Sequence, residues 1–253
     1  MIDKLTSLGQ VNEEVIRCRK CPRLVEYRER VAREKRLAYR DCTYWGKPVP
    51  GFGDPHAQLL IVGLAPGAHG SNRTGRMFTG DRSGIFLYQA LYDAGFANQP
   101  TAVSADDGLE LKNVYIAAAA RCAPPDNKPL PSEMLNCRPY LEREIDILQP
   151  KAVLALGKIG WDVFLGILKY RGVIPARAGY RFAHGAEVEL PQSGMHLFGV
   201  YHPSQQNTQT GLLTPAMYAT VLRRIQNFLK PKAKANAEGT EKKRRRTQRR
   251  AGL

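Results

Sequence analysis

The residues able to do chemistry fall into four places along the chain. Between 63 and 84 it reads G-L-A-P-G-A-H-G-S-N-R-T-G-R-M-F-T-G-D-R-S-G, holding one carboxylate (Asp81), one imidazole (His69), one phenyl ring (Phe78) and three arginines (Arg73, Arg76, Arg82). A second imidazole, His202, opens the polar run His202-Pro203-Ser204-Gln205-Gln206-Asn207, and Asn127 follows the twin prolines Pro124-Pro125. A carboxylate and an amide can orient water, and a neutral imidazole can donate a hydrogen bond to an oxygen that gains negative charge. The fourth place is a set of thiols. Cys18 and Cys21 form C-x-x-C, Cys122 and Cys137 follow far downstream, and Cys42 stands alone as an expected free thiol.

Residues 63–84 match neither the Walker phosphate loop nor the dinucleotide fingerprint, so their six glycines serve close backbone approach to some other ligand. The C-x-x-C is flanked by charged helical sequence without a preceding strand, which argues against a thioredoxin-like redox pair. Four thiolates from two distant segments suit a closed tetrathiolate site, and spacing alone leaves zinc and an iron–sulfur cluster both open.

Elements must carry these groups to one place. The apolar runs Leu59-Leu60-Ile61-Val62, Val114-Tyr115-Ile116 with alanines 117–120, Ala152-Val153-Leu154-Ala155-Leu156 and residues 195–201 read as buried strands. Helical patterns separate them, the last capped by Thr214-Pro215 and running through Leu229. This alternation predicts β-α-β crossovers and a mainly parallel central sheet. Residues 3–17 and 22–39 read as two amphipathic helices, 44–53 as a loop, 98–111 as a surface insert turning at Asp106-Asp107-Gly108, and 172–193 as a loop with a hairpin. Ser132 offers an N-cap to the helix carrying Cys137. Residues 63–84 and 202–211 then leave strands at the same sheet edge, where open α/β sheets place ligands.

With 253 residues and 43% hydrophobic content the chain can build a substantial core, and residues 1–230 are read as one domain followed by a basic, disordered tail over 231–253. The formal charge is +15; from Lys230 onward ten Lys or Arg face two Glu, a net +8, so the body retains +7. A body that stays positive without its tail favours a polyanionic partner, nucleic acid first. No signal peptide or membrane-spanning period is evident, so the reading is a cytoplasmic monomer, associated with the nucleoid through DNA.

Taken in order, G-L-A-P-G-A-H-G with G-R-M-F-T-G-D, then R-C-A-P-P-x-N-K-P, then H-P-S-x-x-N-x-x-T-G-x-L-T resembles the family-5, B-type uracil-DNA glycosylases. The resemblance spans Cys18 to Phe228. It implies a three-layer α/β/α sandwich around a mainly parallel sheet, a [4Fe–4S] cluster on Cys18, Cys21, Cys122 and Cys137, and excision of damaged bases from duplex or single-stranded DNA. It also supports Asp81, His202 and Asn127 as the catalytic set. Phe78 would stack on the everted base, bordered by Gly63, Ala65, Gly67 and His69. Arg73, Arg76, Arg82, Ser204, Gln205, Gln206 and Asn207 would contact DNA, with residues 203–210 filling the gap left by the flipped nucleotide.

Related families keep a polar residue after the strand's glycine, G-Q-D-P-Y in family 1 and G-E-A-P-G in family 4, where this chain has Leu64-Ala65. Family-4 relatives also carry an asparagine on the strand before the third cysteine, where this chain offers alanines 117–120. Both differences shift the chemistry towards Asp81, His202 and Asn127 and predict a substrate range wider than uracil, hypoxanthine included. A non-catalytic or covalent uracil-DNA binder, or a redox-sensing nucleic-acid module, are the competing readings at this point.

Deleting residues 232–253 should weaken DNA binding mostly at low ionic strength and leave folding intact, because the tail adds charge without core. Anisotropy titrations across a salt series, with circular dichroism melts, test this; unchanged affinity at every salt concentration contradicts it.

Overall fold

A computed structural model describes residues 7–190 and 192–231. The expected disordered tail, apart from Pro231, lies outside the described residues, as do residues 3–6 of the first expected helix.

Six strands form one sheet in the order β1-β3-β2-β4-β6-β5. Its centre is built from β2 (Leu59–Gly63), β3 (Val114–Ala118) and β4 (Ala152–Leu156), whose residues are all buried. Such continuous apolar runs are what a parallel sheet covered on both faces requires. β2 pairs in parallel with β3 and with β4, placing Ile61 beside Ile116 on one side and Leu154 on the other. β6 (Met195–Val200) extends the parallel set beyond β4. The edges are antiparallel: β1 (Phe52–Gly53), within the segment expected as loop, pairs with β3, and β5 (Glu187–Leu190), from the stretch expected to hold its own hairpin, pairs with the core strand β6.

Side chains alternate across the sheet, which sets the layers. Leu59 and Ile61 pack with Leu87, Tyr88 and Leu91 of α4 (Arg82–Asp93) and with Tyr218, Leu222 and Ile225 of α8 (Pro215–Leu229). Leu60 and Val62 face the opposite layer, Leu141 and Ile145 of α5 (Pro131–Leu148) and Trp161, Phe164 and Leu168 of α6 (Gly157–Tyr170). The molecule is therefore the expected α/β/α sandwich. The loop after β2 runs to one layer while those after the neighbouring β3 and β4 run to the other, which opens a crevice at the carboxyl edge.

Several local expectations change. The first described helix, α1 (Leu8–Arg17), starts behind a Ser7 cap whose hydroxyl accepts from the Gln10 N–H. The second helix, α2 (Pro22–Glu34), stops earlier than expected: Lys35 takes φ 55°, and Leu37–Tyr39 make a separate 3-10 turn. Ser132 is not the cap of α5. Pro131 occupies the first turn, and the Glu133 carboxylate accepts the Leu130 N–H at 2.7 Å. The insert at 98–111 is not purely superficial either, since Ala102, Leu109 and Leu111 join the core.

One buried ion pair ties the cysteine-bearing segments together. Arg121, 1% exposed, donates to the Glu144 carboxylate, 0% exposed, so the residue before Cys122 is clamped to the helix carrying Cys137. Removing one member leaves an uncompensated buried charge, whereas removing both does not. Glu144→Leu should therefore cost about 3–5 kcal/mol, and Arg121→Met added to it should recover most of that loss in urea unfolding. A double variant no more stable than the single one contradicts this account.

Candidate active site

A cleft of about 600 Å³ opens at the carboxyl edge of the sheet. The loop after β2 contributes Leu64, Ala65, Gly67, His69, Phe78 and Asp81; β3 contributes Ala118; the following loop brings Asn127, and the segment after β6 brings His202, Ser204, Gln205 and Gln206. All three expected catalytic residues thus share one cavity, though they stand up to 121 positions apart in sequence.

Asp81 is both helix cap and cleft wall. It precedes α4 with extended backbone, and its Oδ1 accepts the Gly84 N–H at 2.9 Å. Its Oδ2 lies over the backbone of Gly67 and Gly70; a Cβ on Gly70 would come within 2.0 Å of it, so that approach requires glycine. Burial pushes the Asp81 carboxyl above the usual carboxylate range, against the pull of the Gly84 and Ser83 N–H groups and of Arg73. The capping role and the cleft role thus use different oxygens.

Phe78 is held in an unusual backbone state. Its φ is 54°, a left-handed conformation that costs an aromatic residue about 1–3 kcal/mol. The surroundings fix it there. The Tyr88 hydroxyl donates to the preceding Met77 carbonyl at 2.6 Å, and α4 starts so close that a Cβ on Gly84 would lie 1.7 Å from the Phe78 carbonyl. The ring lies over Gly63, its centroid 6.0 Å from that of His202. Part of its surface faces the cleft, so it is both core and platform.

His202 follows the last core strand. Burial alone pushes its pKa down to about 4 from an ordinary 6.5, which leaves it neutral at physiological pH. Its carbonyl accepts the Asn207 side-chain amide at 2.9 Å and the Ser204 N–H at 2.7 Å. Asn127 is exposed at the cleft mouth with φ 56° on a 3-10 turn.

The expected DNA contacts divide. Gln205 and Gln206 are exposed on the rim, at the start of a short helix, α7 (Gln205–Gln209), that replaces the expected loop. Ser204 caps that helix by accepting the Asn207 N–H, and Asn207 is spent on His202, so both position the rim instead of facing outward. Arg73 is a staple: it donates to the carbonyls of His69 and Gly80, both at 2.9 Å, and stacks 4.2 Å above the Tyr39 ring. Arg76 is not available to DNA at all. It is 4% exposed and paired bidentately with Asp107 at 2.8 Å, because burial of a guanidinium demands a carboxylate partner. That pair, with three N–H donors on Asp107, holds the Asp107 carboxyl down at about 2. The exposed rim cations are Arg82, one of the three arginines expected at DNA, and Arg36, which was not expected there.

Arg36 and Tyr39 were missed as cleft residues, and so was Tyr44 behind the cleft wall, whose hydroxyl sits 3.0 Å from His69 Nδ1. They belong to the end of the second helical segment and the strap after it. No local pattern marks them, since only the docking of that strap on residues 70–74 brings them to the cleft: Trp45 and Gly46 donate N–H groups to the Arg73 and Asn72 carbonyls at 2.8 and 3.0 Å.

The four expected thiol ligands converge from three segments: Cys18 ends α1, Cys21 precedes α2, Cys122 follows β3 and Cys137 lies in α5. Leu24 packs with Cys21 and Cys122, and the Asn136 amide donates to Cys21 Sγ at 3.4 Å. Burial pushes the Cys122 thiol up to about 12, and the nearby Cys137, Cys18 and Cys21 push the same way. Among the described residues no three of His, Cys, Asp or Glu are gathered as a single-ion site. The donor chemistry, four thiols with no carboxylate among them, fits a thiolate-bound cluster. Cys42 is half-buried and has no part in this group.

Residues 50–226 match the family model of the uracil DNA glycosylase superfamily. The chain is 49% identical over 219 residues to the type-5 uracil-DNA glycosylase of Mycobacterium leprae, covering 86% of this chain and 93% of that one. It is 50% identical over 206 residues to the type-5 enzyme of Thermus thermophilus, 81% and 90% of the two chains. Similarity to the type-4 uracil-DNA glycosylase of Archaeoglobus fulgidus is lower, 26% over 201 residues. By this match along most of its length, together with the sandwich and the cleft at its carboxyl edge, the chain belongs to the uracil-DNA glycosylase superfamily and to its type-5 branch.

Proposed function

We propose that this protein flips uracil, hypoxanthine and other deaminated bases out of DNA and hydrolyses the N-glycosidic bond, leaving an abasic site. The observation that carries this reading is the convergence of Asp81, Phe78, Asn127 and His202 in one cleft. Bond cleavage leaves an electron-poor sugar and an anionic base, so negative charge must be stabilised at the base oxygen while water is held behind C1′.

His202 is suited to the first task. Held neutral, it can donate its single ring N–H to the departing oxygen and stay an uncharged imidazole. Asp81 Oδ2 is suited to the second, since Oδ1 is already tied to α4 and burial raises the basicity of the group. Asn127, at the mouth, supplies an amide to base or water, and Phe78 offers a stacking face that tolerates purine and pyrimidine alike. Leu64, Ala65 and Ala118 line the cleft where relatives keep polar groups, which supports the wider lesion range. Gln205 and Gln206, with Arg36 and Arg82, are placed to meet the strand around the everted nucleotide.

The thiols of Cys18, Cys21, Cys122 and Cys137 would hold a [4Fe–4S] cluster, which would supply a rigid crosslink between the N-terminal helices and α5. Four thiols could hold a single zinc ion as well; it is the family-5 resemblance that favours the cluster. The chain's own contribution is the Arg121–Glu144 clamp and the Leu24 contact, which bring the thiols together.

Alkaline cleavage of a uracil-containing duplex after incubation separates turnover from a stoichiometric adduct or binding alone, and turnover is expected. His202→Ala should slow single-turnover excision about 10²–10³-fold, as loss of one charge-stabilising donor does. Asp81→Asn, which keeps the cap but removes the charge, should slow it about 10²-fold or more with the melting temperature nearly unchanged; wild-type rates in both variants would remove the site assignment. Equal turnover of hypoxanthine and undamaged adenine, or strict uracil specificity, would remove the proposed range.

The pH profile follows from the two shifts. With His202 neutral down to about 4, excision should show no inflection at the ordinary histidine pKa of 6.5. Its acid limb should lie above the usual carboxylate range, because raised Asp81 takes up its proton early as pH falls, and that limb should vanish in Asp81→Asn. A histidine-like inflection near 6.5 contradicts this.

A further inference from the structure

His69 is half-buried in the cleft wall, and the catalytic assignment above does not use it. Its Nδ1 lies 3.0 Å from the Tyr44 hydroxyl, with the two rings edge to face. Tyr44 is itself buried, 9% exposed, and its oxygen already accepts the Arg36 backbone N–H at 3.4 Å. Among the described residues the phenol has no other hydrogen-bond partner. Donation to His69 Nδ1 is the arrangement that pairs the phenol proton among the described residues; it makes Nδ1 the acceptor and puts the ring proton on Nε2. No hydrogen bond within the described residues engages Nε2, and the ring lines the cleft. The Arg73 guanidinium, donating to the His69 carbonyl at 2.9 Å, holds the backbone beneath it.

We propose that Tyr44 locks His69 as the Nε2–H tautomer, giving the cleft an uncharged donor that reads the carbonyl oxygen created by base deamination. This rests on the base-excision reading. Deamination turns the amino group of cytosine into uracil O4 and that of adenine into hypoxanthine O6, so in each case a donor becomes an acceptor. A fixed N–H donor pairs with either product and confronts either parent with a second donor. The opposite tautomer would do the reverse. One lock thus accounts for a pocket that takes a pyrimidine and a purine lesion without the asparagine of family-4 relatives. Burial, Arg36 and Arg73 all lower the His69 pKa, so the ring stays neutral and the donor does not vary near neutral pH.

Long-range ¹H–¹⁵N spectra of the wild-type protein should show His69 as the Nε2–H form, and Tyr44→Phe should convert it to a mixture. In single-turnover assays with duplexes carrying uracil, hypoxanthine, cytosine or adenine at a mismatch, Tyr44→Phe should slow uracil and hypoxanthine together, about 10-fold for loss of an oriented donor. The parent bases should not slow, and the circular dichroism spectrum should be unchanged. A wild-type His69 carrying its proton on Nδ1, or unchanged uracil and hypoxanthine rates in a variant whose tautomers have mixed, would overturn the inference alone. A wild-type protein that excises no base would overturn the glycosylase reading and this inference with it.

Discussion

The hydrogen bond from the Gly84 N–H to Asp81 Oδ1 is the joint on which the cleft turns. It starts α4, and α4 in turn closes on Phe78 so tightly that only glycine fits at 84. Two opposing effects act on the carboxylate. The helix N-terminus favours its charge by a few tenths to about 1 kcal/mol, while burial disfavours it, and the upward direction of the shift says that burial wins. The outcome suits a base: the group stays fixed by the scaffold at one oxygen and keeps proton affinity at the other.

Strain and neutrality are distributed around that joint. Phe78 keeps an unfavourable φ because Tyr88, Gly84 and the β2 strand over-determine it, and the result is a ring beside His202, tilted 37° to it. Both cleft histidines are shifted down, His202 by burial and His69 by burial and then by Arg36 and Arg73. The cleft therefore presents two neutral imidazoles in a body of net positive charge. Several cations are paired or tethered inside the fold, Arg76 by Asp107, Arg121 by Glu144 and Arg73 by two carbonyls, while Arg36 and Arg82 stay exposed on the rim.

The cysteine-bearing helices are coupled to the same cleft. The strap after α2 carries Tyr44, Trp45 and Gly46, and the last two bond Arg73 and Asn72, next in sequence to Gly70 and Ser71 of the cleft lining. Buried Arg28 of α2 donates to the Gly46 carbonyl and approaches Cys122. A group holding Cys18 and Cys21 to Cys122 and Cys137 would thereby also steady the strap that orients His69.

Much of this was legible in the residues. Apolar runs of strand length fixed the central strands, the Thr214-Pro215 signal placed α8, and glycine-rich sequence at a strand end pointed to the ligand edge, because these depend on local periodicity and backbone preference. Motif order carried the family. What the sequence could not decide is which of several identical residue types does which task. Arg76 and Arg82 look alike on paper, yet one meets Asp107 in the core and the other faces solvent. Asn207 and Gln206 look equally free, yet one is spent on the His202 carbonyl. Tyr44 and His69 are 25 positions apart and meet only when the strap docks. Local pattern determines which elements form and which groups exist; burial, and the need of each buried polar group for a partner, determines which of those groups remain free to act.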